Sequence, residues 1–113
     1  MESRKYKVVI TETGKLDVKE KKKYILQQFQ YREYAENFSQ MIKRAIMQLD
    51  TFPTGHGKTG FQYRGYDIYM KPQNNHLLFY TVNEETATVT VLRVLQDGMD
   101  WESIINRWIS RNS

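Results

Sequence analysis

The stretch HLLFYTVNEETATVTVLRVLQDGMDWESII, residues 76–105, decides the fold. Two strongly apolar runs, residues 77–82 and 89–95, lie on either side of a polar tip at residues 83–86. This is the pattern of consecutive strands that pair antiparallel through a short turn. Because the apolar residues between 101 and 109 then follow helical spacing, the stretch predicts a β-hairpin that leads straight into a terminal helix.

Two shorter aromatic runs come before this hairpin. Residues 61–66 and 67–72 alternate between apolar and polar side chains, so they can add one or two strands beside it. The preceding segment, residues 55–60, contains three glycines and predicts a loop. Its Gly-Lys-Thr resembles the end of a phosphate-binding loop, but the glycine expected at position 52 and the strand-then-helix context are both missing.

The first half of the chain predicts a strand and then a helix. Residues 6–11 are rich in β-branched side chains, and residues 13–14, Thr-Gly, predict a turn after them. Asp17 and Glu20 have the offset of a helix N-cap pair, and the helix that they start is expected to run roughly to Gln30.

A second helix has the clearest periodic pattern. Its apolar residues form one continuous stripe, Tyr34, Phe38, Met41, Ile42, Ala45 and Leu49. Only residues 31–33 separate the two helices, so we expect an antiparallel helical hairpin covered on one face by the sheet. The whole order predicts an α+β fold in a single domain, residues 1–113: an N-terminal strand, an α-helical hairpin, a three- to four-stranded antiparallel meander and a C-terminal helix.

Composition limits the classes of function. The 17 Lys and Arg exceed the 13 Asp and Glu, and the net charge of +4 favours an anionic partner. The absence of cysteine excludes disulfides and thiolate metal sites, and two distant histidines give no metal-ligand spacing; His76 is expected to cap the turn at residues 72–75. No apolar run approaches the roughly 20 residues of a membrane span, and the first residues do not resemble a signal peptide. We therefore expect a cytoplasmic protein with no metal, cofactor or membrane partner.

Several short patterns recur together over nearly the whole chain. They are Leu49, Phe52, Pro53 and Gly55 at the exit from the second helix, the strand Leu78-Phe79-Tyr80-x-Val82, and Val91-Leu92-Arg93-Val94-Leu95 leading into Asp100-Trp101. Together with the order of the elements, these patterns resemble the RelE/ParE superfamily of toxins from bacterial type II toxin–antitoxin modules. The resemblance implies a growth-arresting toxin that acts on ribosome-bound mRNA or on DNA gyrase, and that a bound antitoxin neutralises.

The mRNA-cleaving members of the superfamily imply a cofactor-free, ribosome-dependent endoribonuclease. In such a site lysines, arginines and a tyrosine, rather than a histidine pair, would stabilise the phosphate as the ribose 2′-hydroxyl attacks. The catalytic candidates here are Arg93, Lys71 and Tyr80, and the candidates for nucleic-acid binding are Lys58, Arg64, Lys71 and Arg93.

Some positions differ from the nuclease pattern. Asp67, Tyr69 and Leu77 stand where that pattern has basic residues. Arg93 also has an ordinary alternative role, because its strand spacing allows it to pair with a carboxylate such as Asp100. A nuclease is therefore one of three functions that the residues leave open.

The second function is a protein-binding toxin directed at DNA gyrase, in which the helical hairpin and the terminal helix contact the target and no bond is cleaved. The third is a degenerate family member that binds its antitoxin but is not toxic. All three share a cognate antitoxin as partner in a toxin–antitoxin hetero-oligomer, because an acidic antitoxin segment would cover apolar grooves and cancel positive charge.

The candidate antitoxin-binding residues lie on the terminal helix. Trp101, Ile105 and Trp108 share one apolar face of it. We expect Trp101 to pack inward, and Trp108, which is close to the end of the chain, to be the better interface residue. The alternative is that this whole face closes the sheet.

Overall fold

Over residues 5–113, the part of the chain that the computed structural model describes, five strands and three α-helices follow one another. They are β1 (Lys7–Ile10), α1 (Glu12–Phe29), α2 (Arg32–Met47), β2 (Gly57–Tyr63), β3 (Tyr66–Gln73), β4 (His76–Asn83), β5 (Thr88–Gln96) and α3 (Trp101–Asn112). Two short 3₁₀ turns, Gln48–Asp50 and Pro53–Gly55, connect α2 to β2. The predicted α+β fold is confirmed, and the meander has four strands.

The strands form one sheet in the order β1-β5-β4-β3-β2. From β2 to β5 each strand pairs antiparallel with the next, whereas β1 pairs parallel with β5, Lys7 opposite Thr88 and Ile10 opposite Val91. Since β1 covers only the first half of β5, no strand of residues 5–113 pairs with residues 92–96 on that side. This open half-edge is where α1 crosses the sheet.

Helices cover both faces of the sheet, which explains why β4 and β5 are apolar runs rather than alternating strands. Successive residues of β4 point to opposite faces: Leu78, Tyr80 and Val82 face the α1–α2 hairpin, and Leu77 and Phe79 face α3. The buried residues that pack from the helices are Phe38, Ile42 and Ala45 of α2 on one side and Ile105 and Trp108 of α3 on the other.

Helix α1 begins before the predicted N-cap Asp17, so the predicted turn at residues 13–14 is wrong. Thr11 is the N-cap: its hydroxyl accepts the N–H of Gly14 at 3.0 Å and donates to the Leu92 carbonyl at 2.8 Å. A Cβ at Gly14 would lie 2.9 Å from Cγ1 of Ile10 and 3.3 Å from the Leu92 carbonyl oxygen. The glycine therefore permits close packing of the first helical turn against β5, and does not make a turn.

The predicted loop at residues 55–60 is also partly wrong, because β2 already begins at Gly57. Gly60 has a φ of +92°, and the pairing of β2 with β3 shifts register between Lys58 and Gln62. A positive φ at a register shift is the geometry of a β-bulge, which glycine adopts at little cost. The glycines of this segment therefore belong to a bulged edge strand.

Of the two tryptophans of α3, Trp101 packs inward as predicted, but the expected exposure of Trp108 is wrong. Trp101 is partly buried with its ring 5.4 Å from that of Phe79, while Trp108 is only 5% exposed and Ile105 is fully buried. The Trp108 ring packs on Tyr63 of β2 at 4.7 Å between centroids. The end of α3 thus lies over the sheet, and Ile105 and Trp108 are core residues rather than an exposed docking surface.

Trp108→Ala should lower the free energy of unfolding by about 3–5 kcal/mol, because a buried aromatic side chain is lost and a cavity remains. Urea unfolding measures this change. Met99→Ala, at an exposed residue of the loop before α3, is the control and should change stability by less than about 0.5 kcal/mol. A loss below about 1 kcal/mol for the tryptophan variant would contradict the burial of Trp108.

Candidate functional site

Three neighbouring strands place Lys58, Tyr69 and Tyr80 abreast on the face of the sheet that the α1–α2 hairpin covers. Lys58 is opposite Tyr69, and Tyr69 is opposite Tyr80, so the three share a face. The two tyrosine rings stack with centroids 5.5 Å apart, and His56 meets Tyr80 edge-on at 6.4 Å. Lys71 lies two residues after Tyr69 in β3 and so belongs to the same face. We call these five residues, His56, Lys58, Tyr69, Lys71 and Tyr80, the tyrosine row.

Tyr80, a predicted catalytic residue, is fully buried within this row. Its hydroxyl donates a hydrogen bond to the Pro53 carbonyl at 2.5 Å, which ties β4 to the 3₁₀ turn before β2. Burial, with a smaller contribution from Tyr69, raises the pKa of Tyr80 far above its ordinary value. The phenol is therefore a neutral donor that is already used by the fold, and it does not act as a base at neutral pH.

Lys71, predicted both for catalysis and for phosphate binding, is also buried. Its ammonium donates to the Ala45 carbonyl at 3.2 Å and to Oε1 of Gln48 at 3.1 Å, at the end of α2. Burial lowers the pKa of Lys71. The side chain of Lys71 therefore links β3 to the end of α2 by hydrogen bonds and is not exposed to solvent.

The exposed members of the tyrosine row are Lys58 and His56. Lys58 pairs with Asp67 at 3.3 Å on the surface. The pKa of Asp67 is lowered chiefly by a hydrogen bond from Gln62 and then by Lys58. The pKa of His56 is lowered by partial burial and then by the charge of Lys71, so its imidazole is neutral at pH 7.

Arg93 lies away from the tyrosine row, at the open half-edge of β5. Its guanidinium forms two parallel hydrogen bonds with Asp17 of α1, Nε to Oδ2 at 2.7 Å and Nη2 to Oδ1 at 2.9 Å. The predicted partner Asp100 is wrong, because that carboxylate caps α3 by accepting from Ser103. Sequence spacing did not reveal Asp17 as the partner, since the pair joins residues 76 positions apart.

The predicted cationic residues are therefore divided among three places. Lys58 and Lys71 belong to the tyrosine row, Arg93 lies beside α1, and Arg64 stands at the β2–β3 turn with its guanidinium 5.0 Å from the Tyr63 ring centroid. Phosphate clamping needs several cations aimed at one place. The catalytic and nucleic-acid-binding roles of these residues stay predictions, and the residues do not form one cluster.

A groove of about 510 Å³ lies between α1 and the end of the sheet at the open half-edge. His76 of β4 lines it, 8% exposed, with its ring 5.0 Å from that of Phe38. In residues 5–113 neither ring nitrogen of His76 has a hydrogen-bond partner. The predicted turn-capping role is thus wrong. The strand alternation that aligns His76 with Leu78 and Tyr80 was the signal that it faces inward.

Metal-binding and membrane-spanning features are absent from residues 5–113. No three His, Cys, Asp or Glu side chains there come together in a way that could hold a metal ion. In the same part of the chain, no helix is both long and apolar enough to cross a bilayer.

Comparison with known proteins gives one family match. The profile described as "ParE toxin of type II toxin-antitoxin system, parDE" matches residues 8–101. No curated protein sequence is similar enough to the chain to count as a match.

Solved structures share the fold at low sequence identity. A chain of the chromosomal ParDE toxin–antitoxin system from P. aeruginosa superposes with a TM-score of 0.68 at 12% identity, over 84% of this chain and 99% of that one. A chain of the toxin–antitoxin complex RelBE2 from Mycobacterium tuberculosis has a TM-score of 0.57 at 19% identity, over 84% of this chain and 94% of that one.

Asp17→Ala should lower the free energy of unfolding by about 2–4 kcal/mol, because it leaves the guanidinium of Arg93 and the N–H of Val94 without their acceptor. The two side chains of the pair are only 14% and 18% exposed, so solvent screens them weakly. Chemical denaturation measures the loss. Asp67→Ala, which removes an exposed ion pair, is the control and should have little effect; equal losses in the two variants would contradict the account.

Proposed function

Because the chain belongs to the ParE toxin family of type II toxin–antitoxin systems, we propose that it arrests bacterial growth by binding DNA gyrase and cleaves no RNA. An antitoxin neutralises it. The single observation that supports this choice is the pairing of Arg93 with Asp17, which engages the first catalytic candidate in a structural ion pair.

The energetics of that pair favour a protein-binding toxin. Two of the five N–H donors of Arg93 are held by charge-assisted hydrogen bonds, each worth about 1.5–3 kcal/mol, and the carboxylate that accepts them offsets the positive charge of the guanidinium. A phosphate that approached Arg93 would also be repelled by the carboxylate of Asp17 beside it. Lys71 and Tyr80 likewise donate hydrogen bonds inside the fold, so each member of the predicted catalytic set is already engaged in a structural contact.

The tip of the α1–α2 hairpin offers a surface suited to a protein target. Phe29, Tyr31 and Tyr34 are all exposed there, and their rings meet edge to face, with Tyr34 5.8 Å from Phe29 and 5.6 Å from Tyr31. Aromatic residues are enriched where protein interfaces have their strongest contacts. The hairpin tip is therefore the region of this chain that we expect to contact the target.

A second candidate is a ribosome-dependent endoribonuclease that uses the tyrosine row. The observation that favours it is the neutral imidazole of His56 close to Lys58 and Tyr80, since a neutral imidazole can act as a general base and an ammonium can stabilise a phosphate. Only one exposed ammonium belongs to this group, which is why we rank this function second.

The purified chain should inhibit gyrase-catalysed DNA supercoiling and leave mRNA intact in a reconstituted translation reaction. Preincubation with the antitoxin is the control and should restore supercoiling. Cleaved mRNA with normal supercoiling would overturn the proposal in favour of the endoribonuclease. No effect in either reaction, by a chain that still binds its antitoxin, would overturn it in favour of a family member without toxicity.

Tyr80→Phe should leave growth arrest within about twofold of the unchanged chain, since the phenol has no role in a gyrase-binding toxin. Loss of its hydrogen bond to Pro53 should lower stability by about 1 kcal/mol. Induced expression and colony counts measure the toxicity, and Tyr66→Phe, at the β2–β3 turn, is the matched control. A fall in toxicity of about a hundredfold or more in a folded Tyr80→Phe chain would point to proton transfer by this residue instead.

A further inference from the structure

The groove beside α1 contains an unsatisfied buried group. Both ring nitrogens of His76 lie buried without a partner in residues 5–113. Leaving a buried donor or acceptor unpaired costs about 1–3 kcal/mol. Because the two nitrogens have almost no accessible surface in the free chain, the His76 ring has to turn towards the groove before a ligand can reach it. A ligand that supplied a hydrogen-bonding group to the turned ring would recover this free energy, so the groove is suited to an occupant with a polar group at that point.

Most of the groove wall is apolar, which limits the occupant further. Leu16 of α1, Phe38 of α2, Leu95 of β5 and Met99 line it. A fully charged or very polar molecule would gain little from this wall, whereas an apolar peptide segment would bury surface against it. The occupant is therefore expected to combine apolar side chains with one polar group near His76.

The four charged side chains that line the groove, Asp17, Glu20, Lys21 and Arg93, sum to zero, so the preference for an anion is local to His76 and Lys21. Asp17 and Arg93 neutralise each other. Lys21 lines the groove, where its ammonium donates to Oε1 of Gln96 at 2.9 Å. The titratable or charged groups that line the groove with His76 are Asp17, Glu20, Lys21 and Tyr24 from α1 and Arg93 from β5, while α2 contributes only Phe38.

Burial lowers the pKa of His76, and the positive charge of Lys21 lowers it further. The imidazole is therefore neutral at pH 7 in the free chain. A carboxylate between His76 and Lys21 would raise the pKa of His76, because it would offset the charge of Lys21 and pair with the imidazolium. Such a group would be held more strongly when His76 is protonated.

We propose that this groove receives an apolar segment of the antitoxin that carries an Asp or Glu side chain, and that this carboxylate pairs with His76 as the imidazole takes up a proton from solvent. The inference rests on the antitoxin partner of the proposed function and names the surface and the residue at which that partner is bound. An acidic segment also complements the net charge of +4 of the chain.

The sign of the pH dependence follows from the two states of His76. An Asp or Glu of the partner, with a pKa near 4, stays ionised above about pH 5.5. The pKa of His76 lies below its ordinary value in the free chain, and the carboxylate raises it in the complex. Between those two values the complex holds one more proton than the separate proteins, so affinity increases as pH falls through this window, by up to tenfold per pH unit.

Titration calorimetry of the full chain with its antitoxin, in buffers of different ionisation enthalpy between about pH 8 and pH 6, tests the proposal. The unchanged chain should take up a proton on binding, and its affinity should increase as pH falls. His76→Gln should lose this proton uptake and have a flatter pH dependence. His56→Gln changes the other histidine of the chain, which lies in the tyrosine row, and should behave like the unchanged chain.

Equal proton uptake by His76→Gln and the unchanged chain would overturn the proposal, as would no uptake by the unchanged chain. Nitrogen-15 spectra of the His76 ring in the unchanged chain give a test that needs no substitution. They should show an imidazolium in the complex at a pH where the free chain shows a neutral ring, and a neutral ring in both would overturn the proposal. No binding by the unchanged chain at any pH would instead overturn the antitoxin partner itself.

Discussion

One carboxylate, that of Asp17, holds the first helix against the open half-edge of β5. It accepts two hydrogen bonds from Arg93 and a third, at 2.9 Å, from the backbone N–H of Val94. An uncovered strand edge leaves backbone groups unpaired and invites pairing with other chains. Here the Thr11 hydroxyl donates to the Leu92 carbonyl and the Asp17 carboxylate accepts from the Val94 N–H. The start of α1 therefore takes the place of the missing strand.

The same contact affects function. Arg93 is the residue that the superfamily resemblance makes the first candidate for phosphate chemistry, and it is also the residue by which β5 binds α1. A guanidinium whose charge is already offset by a paired carboxylate stabilises the negative charge of a phosphate transition state less than a free one does. This fold and an RNA-cleaving site would thus both require the side chain of Arg93, and in this structure Arg93 is paired with Asp17 of α1. That competition is the physical reason for preferring a toxin that binds its target.

Local patterns in the sequence were sufficient for most of the fold. The β4–β5 hairpin and α2 were predictable because alternation and helical periodicity repeat over many residues. The start of α1 was not, because Thr-Gly is typical of a turn, whereas here Thr11 caps the helix and its hydroxyl bonds the distant Leu92 carbonyl. The parallel pairing of β1 with β5 likewise depends on residues far apart in the chain.

The site was harder to predict than the fold. Residue types indicated which cations to consider, but their places depend on the partners that the fold brings to them: Asp17 for Arg93, and the end of α2 for Lys71. The burial of His76 could be inferred only from strand alternation once β4 was known to have helices on both faces.

The most direct measurement of the central claim is a pulse-labelling experiment in a bacterial host. The chain is induced without an antitoxin, and incorporation of labelled thymidine and labelled amino acid is followed separately over the first minutes. A gyrase-binding toxin predicts that thymidine incorporation falls first while protein synthesis continues. An immediate collapse of amino acid incorporation, with cut mRNA and continuing DNA synthesis, would contradict the account.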